Sequence, residues 1–344
     1  MAGRWIRRRG SAKSGFRYVD ESGKPIRAAH TLRRIRALVL PPAWRDVHIA
    51  AASATSIQAW GFDARGRKQY RYHDRAVERR ELRKYYRVRQ LAKELPRVRR
   101  RLRDLADGRT LTRDVVAATV LRLISESFCR VGGERYVREN GTFGVTTLRK
   151  RHVEVDRDCI VLSYVGKGRK RQRQVIVSRE LARLVARLLP TPGARLFRYR
   201  DAGGAWRDLT ARDVNEFLRD RIGFYSAKDF RTWGGTLRAA TVLAELGRPG
   251  SETEAKRNVA LAMRLVSTEL GNTAAICRAS YVHPMVIARY VDDGETIALS
   301  RRHRRGTDGA ARHAPEERAL IAFLDRHFPE RRARQRGDAN EQAA

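Results

Sequence analysis

A change of pattern near residue 80 limits what this chain can fold into. Before it, apolar residues fall in short runs such as Val47-His48-Ile49-Ala50 and Ile57-Gln58-Ala59-Trp60-Gly61-Phe62-Asp63, which predict strands. After it they recur at helical spacing, as with Val116, Val120, Leu123 and Ile124 on one face of a helix over about 112–129. A length of 344 residues suits two domains. The expected organisation is a small β-rich domain over 1–80 and a larger, mainly helical one over 81–344, with 330–344 as a basic tail.

Within the first region a helical stretch from Thr31 to Leu40 stops at Pro41-Pro42, and residues 1 to about 15, rich in Arg, Gly and Ser, read as mobile. A charged helix from Arg75 to Leu95 meets Pro96, which is expected to open a new helix through Leu105. Three strand-like runs, 152–155, 159–165 and 174–177, predict a small antiparallel sheet, with Gly166-Lys167-Gly168 at a connection. Helices follow at about 178–189, 211–221 and 227–246. Another opens at Ser251 and stacks Ala255, Val259, Met263, Val266 and Leu270. Gly271 ends it, leaving Asn272 in a turn, and Thr273 caps a short helix leading to Tyr281. The fold class is therefore α+β.

Charge narrows the partner. Lys and Arg total 74 against 38 Asp and Glu, a net charge of +36, which calls for a polyanion. Nucleic acid is favoured over an anionic membrane surface, because no stretch approaches the length of a spanning helix and Met1–Arg9 lacks the apolar segment of a signal peptide. Three dispersed cysteines, Cys129, Cys159 and Cys277, form neither a disulfide framework nor a metal motif and read as buried thiols of a reducing compartment. No phosphate-binding loop, dinucleotide turn or zinc-hydrolase helix occurs, so no nucleotide cofactor and no metal is expected. The acidic pairs Asp156/Asp158 and Asp292/Asp293 read as solvated turns.

Taken singly, the candidate residues have ordinary explanations. An arginine past a helix, such as Arg130, is commonly a solvated cap; Arg231 can pair with Asp229; a lysine between glycines, such as Lys167, keeps a turn soluble; and a tyrosine on an apolar helix commonly packs in a core. Their order and settings are less ordinary. Phe128-Cys129-Arg130-Val131-Gly132, Tyr164-Val165-Gly166-Lys167, Lys228-Asp229-Phe230-Arg231-Thr232 and Gly271-Asn272-Thr273 leading to Arg278-Ala279-Ser280-Tyr281 resemble the type IB DNA topoisomerases of the poxvirus and bacterial kind. Gly66-Arg67-Lys68-Gln69-Tyr70-Arg71-Tyr72 is similar to the family's duplex-contacting segment, and Tyr136-Val137-Arg138-Glu139-Asn140 to its YxxEN turn.

The resemblance, which runs from about residue 30 to 295, implies the catalytic fold shared with tyrosine recombinases. It further implies Tyr281 as the nucleophile, Arg130 and Arg231 as clamps on the phosphoryl oxygens, and Lys167 as the acid that protonates the leaving 5′-oxygen. Asn272 stands where the viral pattern has His and can donate a hydrogen bond but carry no proton; Gly168 stands where that pattern has Asp. DNA contacts are expected from Arg67, Gln69, Tyr70, Tyr72, Arg135, Tyr136 and Lys228. The implied protein is a cytoplasmic, nucleoid-associated monomer that clamps duplex DNA and relaxes it without ATP. The alternative is a tyrosine recombinase, which usually carries His-x-x-Arg where this chain has Lys228-Asp229-Phe230-Arg231.

Overall fold

The computed structural model describes residues 5–299 and 312–328, so the tail expected after about residue 329 lies outside the described residues. The chain divides into two compact units, Met1–Lys84 and Tyr85–Ala344. It is α+β, with a β-rich first unit and a mainly helical second one.

The first unit contains β1 (Trp5–Ser11), β2 (Gly15–Val19), α1 (Ala29–Ala37), β3 (Arg45–Ala50), β4 (Ile57–Phe62) and β5 (Lys68–Tyr72), in a five-stranded sheet of order β2-β1-β3-β4-β5. All pairings are antiparallel. Ile6, Val47, Ile49 and Ala59 point to one side and bury Ile35 of α1 against them. Residues 5–15 are therefore not the mobile segment expected. Their strand is hard to read because Arg7, Arg8 and Arg9 stand in its middle and only Ile6 is buried, while Arg8 donates from Nη2 to the carbonyl of Trp44 at 2.7 Å and lies over the Phe16 ring.

The division falls within α2 (Asp74–Ala106), a single 33-residue helix with Pro96 inside it. The expected break at Pro96 does not occur. A proline in a helix interior costs about 3 kcal/mol, but Val88, Leu91, Ala92, Leu95, Val98, Leu102 and Ala106 continue one buried stripe through it into the core of the second unit. Burying several such side chains at about 1.5–3 kcal/mol each outweighs the loss.

Beyond α2 come α3 (Arg113–Ser127), α4 (Glu134–Asn140), β6 (Val153–Val155), β7 (Cys159–Val165), β8 (Arg171–Val177) and α5 (Arg179–Ala186). Then follow β9 (Arg198–Arg200), β10 (Trp206–Asp208), α6 (Ala211–Phe217), α7 (Ala227–Leu246), α8 (Glu252–Leu270), α9 (Ala274–Ser280), α10 (Pro284–Asp293) and α11 (Pro315–His327). Strands β6, β7 and β8 form the expected antiparallel sheet in that order. Helix α3 is buried nearly all round, and Thr112 caps it by accepting from the Val115 amide. Ala255, Val259, Met263, Val266 and Leu270 form the buried stripe of α8, as expected. The β9–β10 hairpin, α10 and α11 add to the expected elements, and the residues read as a YxxEN turn form α4. Asp158 pairs with Arg179 at 2.7 Å and Asp293 with Arg289 at 2.7 Å. Among the described residues no helix is long and apolar enough to cross a membrane.

Candidate active site

Four segments of the second unit converge on one cleft of about 250 Å³, lined among others by Arg130, Lys167, Lys228, Arg231, Tyr281 and Tyr136. Each reaches it for a local reason.

Helix α3 ends at Phe128 in a left-handed conformation, φ 52°, which turns the chain sharply before Arg130. The run after it is fixed through its backbone: the Val145 amide donates to the Arg130 carbonyl and the Thr146 amide to that of Val131, each at 2.8 Å. Gly132 and Gly144 let the two backbones touch, since a Cβ on Gly144 would lie 2.6 Å from Gly132 Cα.

Helix α7 starts at a capping box in which Asp229 accepts from the Ser226 amide at 2.8 Å and hydroxyl at 2.9 Å. Its first turns present Lys228 and Arg231. Two glycines then follow in mid-helix, Gly234 and Gly235, at an intrinsic cost of about 1 kcal/mol each relative to Ala. Both are needed for contact. A Cβ on Gly234 would meet the Phe128 ring at 2.4 Å, and one on Gly235 would meet the Tyr281 carbonyl at 2.8 Å and its Cβ at 3.2 Å. The helix thus admits the Phe128 turn and Tyr281 on adjacent positions.

Tyr281 ends α9, its amide donating to the Cys277 carbonyl at 2.9 Å, and its carbonyl accepts from the Thr236 hydroxyl at 3.3 Å. The Arg231 guanidinium lies 5.1 Å from the centre of the Tyr281 ring and the Lys228 ammonium 5.6 Å. Burial pushes the phenol's pKa up, but Arg231, Arg130 and Lys228 outweigh it and hold the group below its ordinary value. A phenolate is accordingly easier to form here than in water.

The arginines are held by main-chain oxygens. Arg231 donates to the carbonyls of Phe128 and, at 3.0 Å, Leu270, while its Nε is buried without a hydrogen-bond partner. Arg130 donates to the Gly271 carbonyl at 3.2 Å and to Oδ1 of Asn272. Asn272 is buried, does not line the cleft, and is fixed by a Schellman turn at the end of α8: its amide donates to Ser267 at 3.0 Å and that of Gly271, in the left-handed region at φ 60°, to Thr268 at 3.3 Å. With Oδ1 engaged, the amide Nδ2 of Asn272 is a buried donor with no partner. Behind the arginines, burial against Cys129 drives the Tyr164 phenol well above its ordinary value, so it stays neutral.

Lys167 is exposed at the tip of the β7–β8 hairpin, which the Gly166 amide closes by donating to the Lys170 carbonyl at 2.8 Å. Gly168 and Arg169 are both left-handed, φ 74° and 59°, as tight hairpin turns require. The aspartate of the viral pattern would be strained at Gly168.

Of the expected DNA contacts, Tyr136 and Lys228 line the cleft, and Arg135 is exposed and pairs with Glu139 at 2.7 Å. The others belong to the first unit. Tyr70 and Tyr72 are exposed on one face of β5 with ring centres 5.9 Å apart, and the Lys68 ammonium sits 3.6 Å from the Trp60 ring beside them. Arg67 and Gln69 both bond Asp63, whose carboxyl the Arg67 hydrogen bond above all holds down at about 2. Sequence reading did not single out Lys170 or Gln174, although the alternation Lys170-Arg171-Gln172-Arg173-Gln174 carries a polar face of a strand.

A family model of the bacterial DNA topoisomerase IB N-terminal domain matches residues 15–63, and one of the eukaryotic DNA topoisomerase I catalytic core matches residues 68–303. The chain belongs to the type IB DNA topoisomerase family. It is 29% identical over 272 residues to the DNA topoisomerase 1B of Acanthamoeba polyphaga mimivirus, a match covering 77% of this chain and 81% of the relative. Against the DNA topoisomerase 1B of vaccinia virus (strain Copenhagen) it is 22% identical over 240 residues, covering 67% and 72% of the two chains. The monkeypox virus DNA topoisomerase I is likewise 22% identical, over 234 residues covering 67% and 72%. DNA is thus the topoisomerase's substrate, and nothing in these matches favours the recombinase alternative.

Proposed function

We propose that this topoisomerase cleaves one strand of duplex DNA by attack of the Tyr281 phenolate, its proton first lost to solvent, on a backbone phosphorus. A 3′-phosphotyrosine bond forms as the bond from phosphorus to O5′ breaks, and Lys167 gives its proton to that departing oxygen. The free 5′ end rotates, then its hydroxyl attacks the phosphotyrosine, returns a proton to Lys167 and releases Tyr281. The single observation that carries this reading is the cleft itself: a phenol held below its ordinary pKa stands beside two arginines and two lysines.

Arg130 and Arg231 neutralise the charge that builds on the nonbridging oxygens, a role for which each such donor contributes about 3 kcal/mol to lowering the barrier. Asn272 supplies a further neutral donor through Nδ2. Because the phosphotyrosine conserves the energy of the broken bond, neither ATP nor a metal ion enters the cycle. The region over 1–80 closes with the catalytic region on the duplex as a monomeric clamp, using Arg67, Gln69, Tyr70 and Tyr72, while Arg135, Tyr136 and Lys228 act near the cleft. We place the protein on the nucleoid.

Relaxation of supercoiled plasmid in EDTA without ATP tests the reading. Wild type relaxes the plasmid, and Tyr281→Phe binds duplex but does not relax it; relaxation by that variant would remove the nucleophile. Lys167→Ala cleaves slowly, and a 5′-phosphorothiolate, whose sulfur leaves without a proton, restores the rate. Absence of that rescue would remove the acid.

A further inference from the structure

The end of α8 is satisfied in an unusual way. The last four carbonyls of a helix have no partner within it. Here the Schellman turn takes those of Ser267 and Thr268. The next four in the chain each receive one side-chain donor: Glu269 from Gln174 Nε2 at 3.1 Å, Leu270 from Arg231 Nη2 at 3.0 Å, Gly271 from Arg130 Nη1 at 3.2 Å, and Asn272 from Lys170 Nζ at 2.7 Å. Two of these donors are the arginines of the cleft. The other two belong to the hairpin that carries Lys167.

Alternation along a strand explains how one hairpin reaches this segment. Residues 170, 172 and 174 share a side, and the Gln172 amide lies so close to Gly271 that a Cβ there would come within 2.2 Å of its Oε1. The helix end carries the partial negative charge of the α8 dipole, which suits an ammonium. Lys170 is separated from Lys167 only by the two left-handed residues of the tip, and it does not line the cleft.

We propose that Lys170 is a positioning residue for proton transfer: by bonding the Asn272 carbonyl, it registers the Lys167 tip on the same run of carbonyls that orients Arg130 and Arg231. The inference rests on the acid role given to Lys167 above. Without the Lys170 bond the tip keeps its own turn but loses its placement relative to the phosphate, and a shift of about 1 Å in a reacting group can cost about a hundredfold in rate.

The test measures single-turnover cleavage at saturating enzyme, on duplexes with either a 5′-oxygen or a 5′-sulfur leaving group, together with duplex affinity. Lys170→Met is expected to cleave the oxygen substrate about a hundredfold more slowly than wild type, to cleave the sulfur substrate within a few-fold of it, and to bind duplex equally well. Lys170→Arg, which keeps a cationic donor, is expected to recover most of the oxygen rate. Equal slowing on both substrates, unchanged rates, or weakened binding alone would each overturn the inference while leaving Tyr281 and Lys167 in their roles. If Lys167→Ala itself gains nothing from sulfur, the acid assignment fails and takes this inference with it.

Discussion

Arg87 grips Asp229 with two parallel hydrogen bonds, Nε to Oδ2 at 2.9 Å and Nη2 to Oδ1 at 2.8 Å, and the carboxylate is 1% exposed. The same carboxylate caps α7 immediately beside Lys228 and two residues before Arg231, so the orientation of the helix that presents both cations depends on it.

Removing the guanidinium leaves a buried carboxylate without its counter-charge. Arg87→Ala is expected to cost about 3 kcal/mol of stability, read as a lower urea midpoint. A double-mutant cycle with Asp229→Ala is expected to show a coupling of about 1 kcal/mol or more. Additive losses would mean that the two residues act separately.

Gly235 is where α7 admits the nucleophile. Gly235→Ala gains about 1 kcal/mol of helix propensity, but its methyl would collide with the Tyr281 carbonyl, 2.8 Å away. Cleavage is expected to slow about a hundredfold with duplex affinity unchanged. An unaltered cleavage rate would show that Tyr281 does not depend on that space.

The cations around Tyr281 set a pH dependence. Burial raises the phenol's pKa but the cations lower it by more, so the second-order rate of cleavage of a 5′-thiolate substrate, which reports the free enzyme, is expected to rise to a plateau with a midpoint below the ordinary 10. Replacing Lys228 with Met takes one of those charges away. The midpoint is then expected to move upward, and a fixed midpoint would exclude Lys228 from the effect.

Glu317 gives stability its own pH dependence. Burial would raise its pKa, but Arg99, bonding both oxygens at 2.7 and 2.9 Å, overrides this and keeps it below the ordinary 4.5. An acid depressed in the folded state adds stability in full above its unfolded pKa, and that stability is lost as pH falls through the folded value. Urea midpoints are therefore expected to drop on acidification below about pH 4.5, and to drop less in Glu317→Gln. Parallel curves for the two proteins would refute the assignment.

Much of this could be read in the sequence where a local rule operates. The stripe of α8, its Gly271 stop, the Thr273 cap and the three-stranded sheet follow from periodicity and end signals, and the candidate site residues stand in recognisable settings. Distant packing hid the rest. Pro96 looks like a helix start because its missing N–H is a local fact, whereas the stripe from Val88 to Ala106 that carries α2 through it is buried by core residues of other elements. The strand Trp5–Ser11 looks like a solvated tail because Arg7, Arg8 and Arg9 stand in its middle, and its only buried residue is Ile6. Lys170 was invisible as a partner of Asn272, 102 residues away, since nothing local marks a lysine that bonds a distant carbonyl.

The choice of carbonyl oxygens as seats for Arg130 and Arg231 has an electrical result. A carboxylate would have steadied each guanidinium equally well but cancelled its charge, as Asp229 does for Arg87. Neutral dipoles fix direction and carry no net charge, so they offset only part of each cation, and most of the attraction of both groups is still available when a phosphodiester arrives.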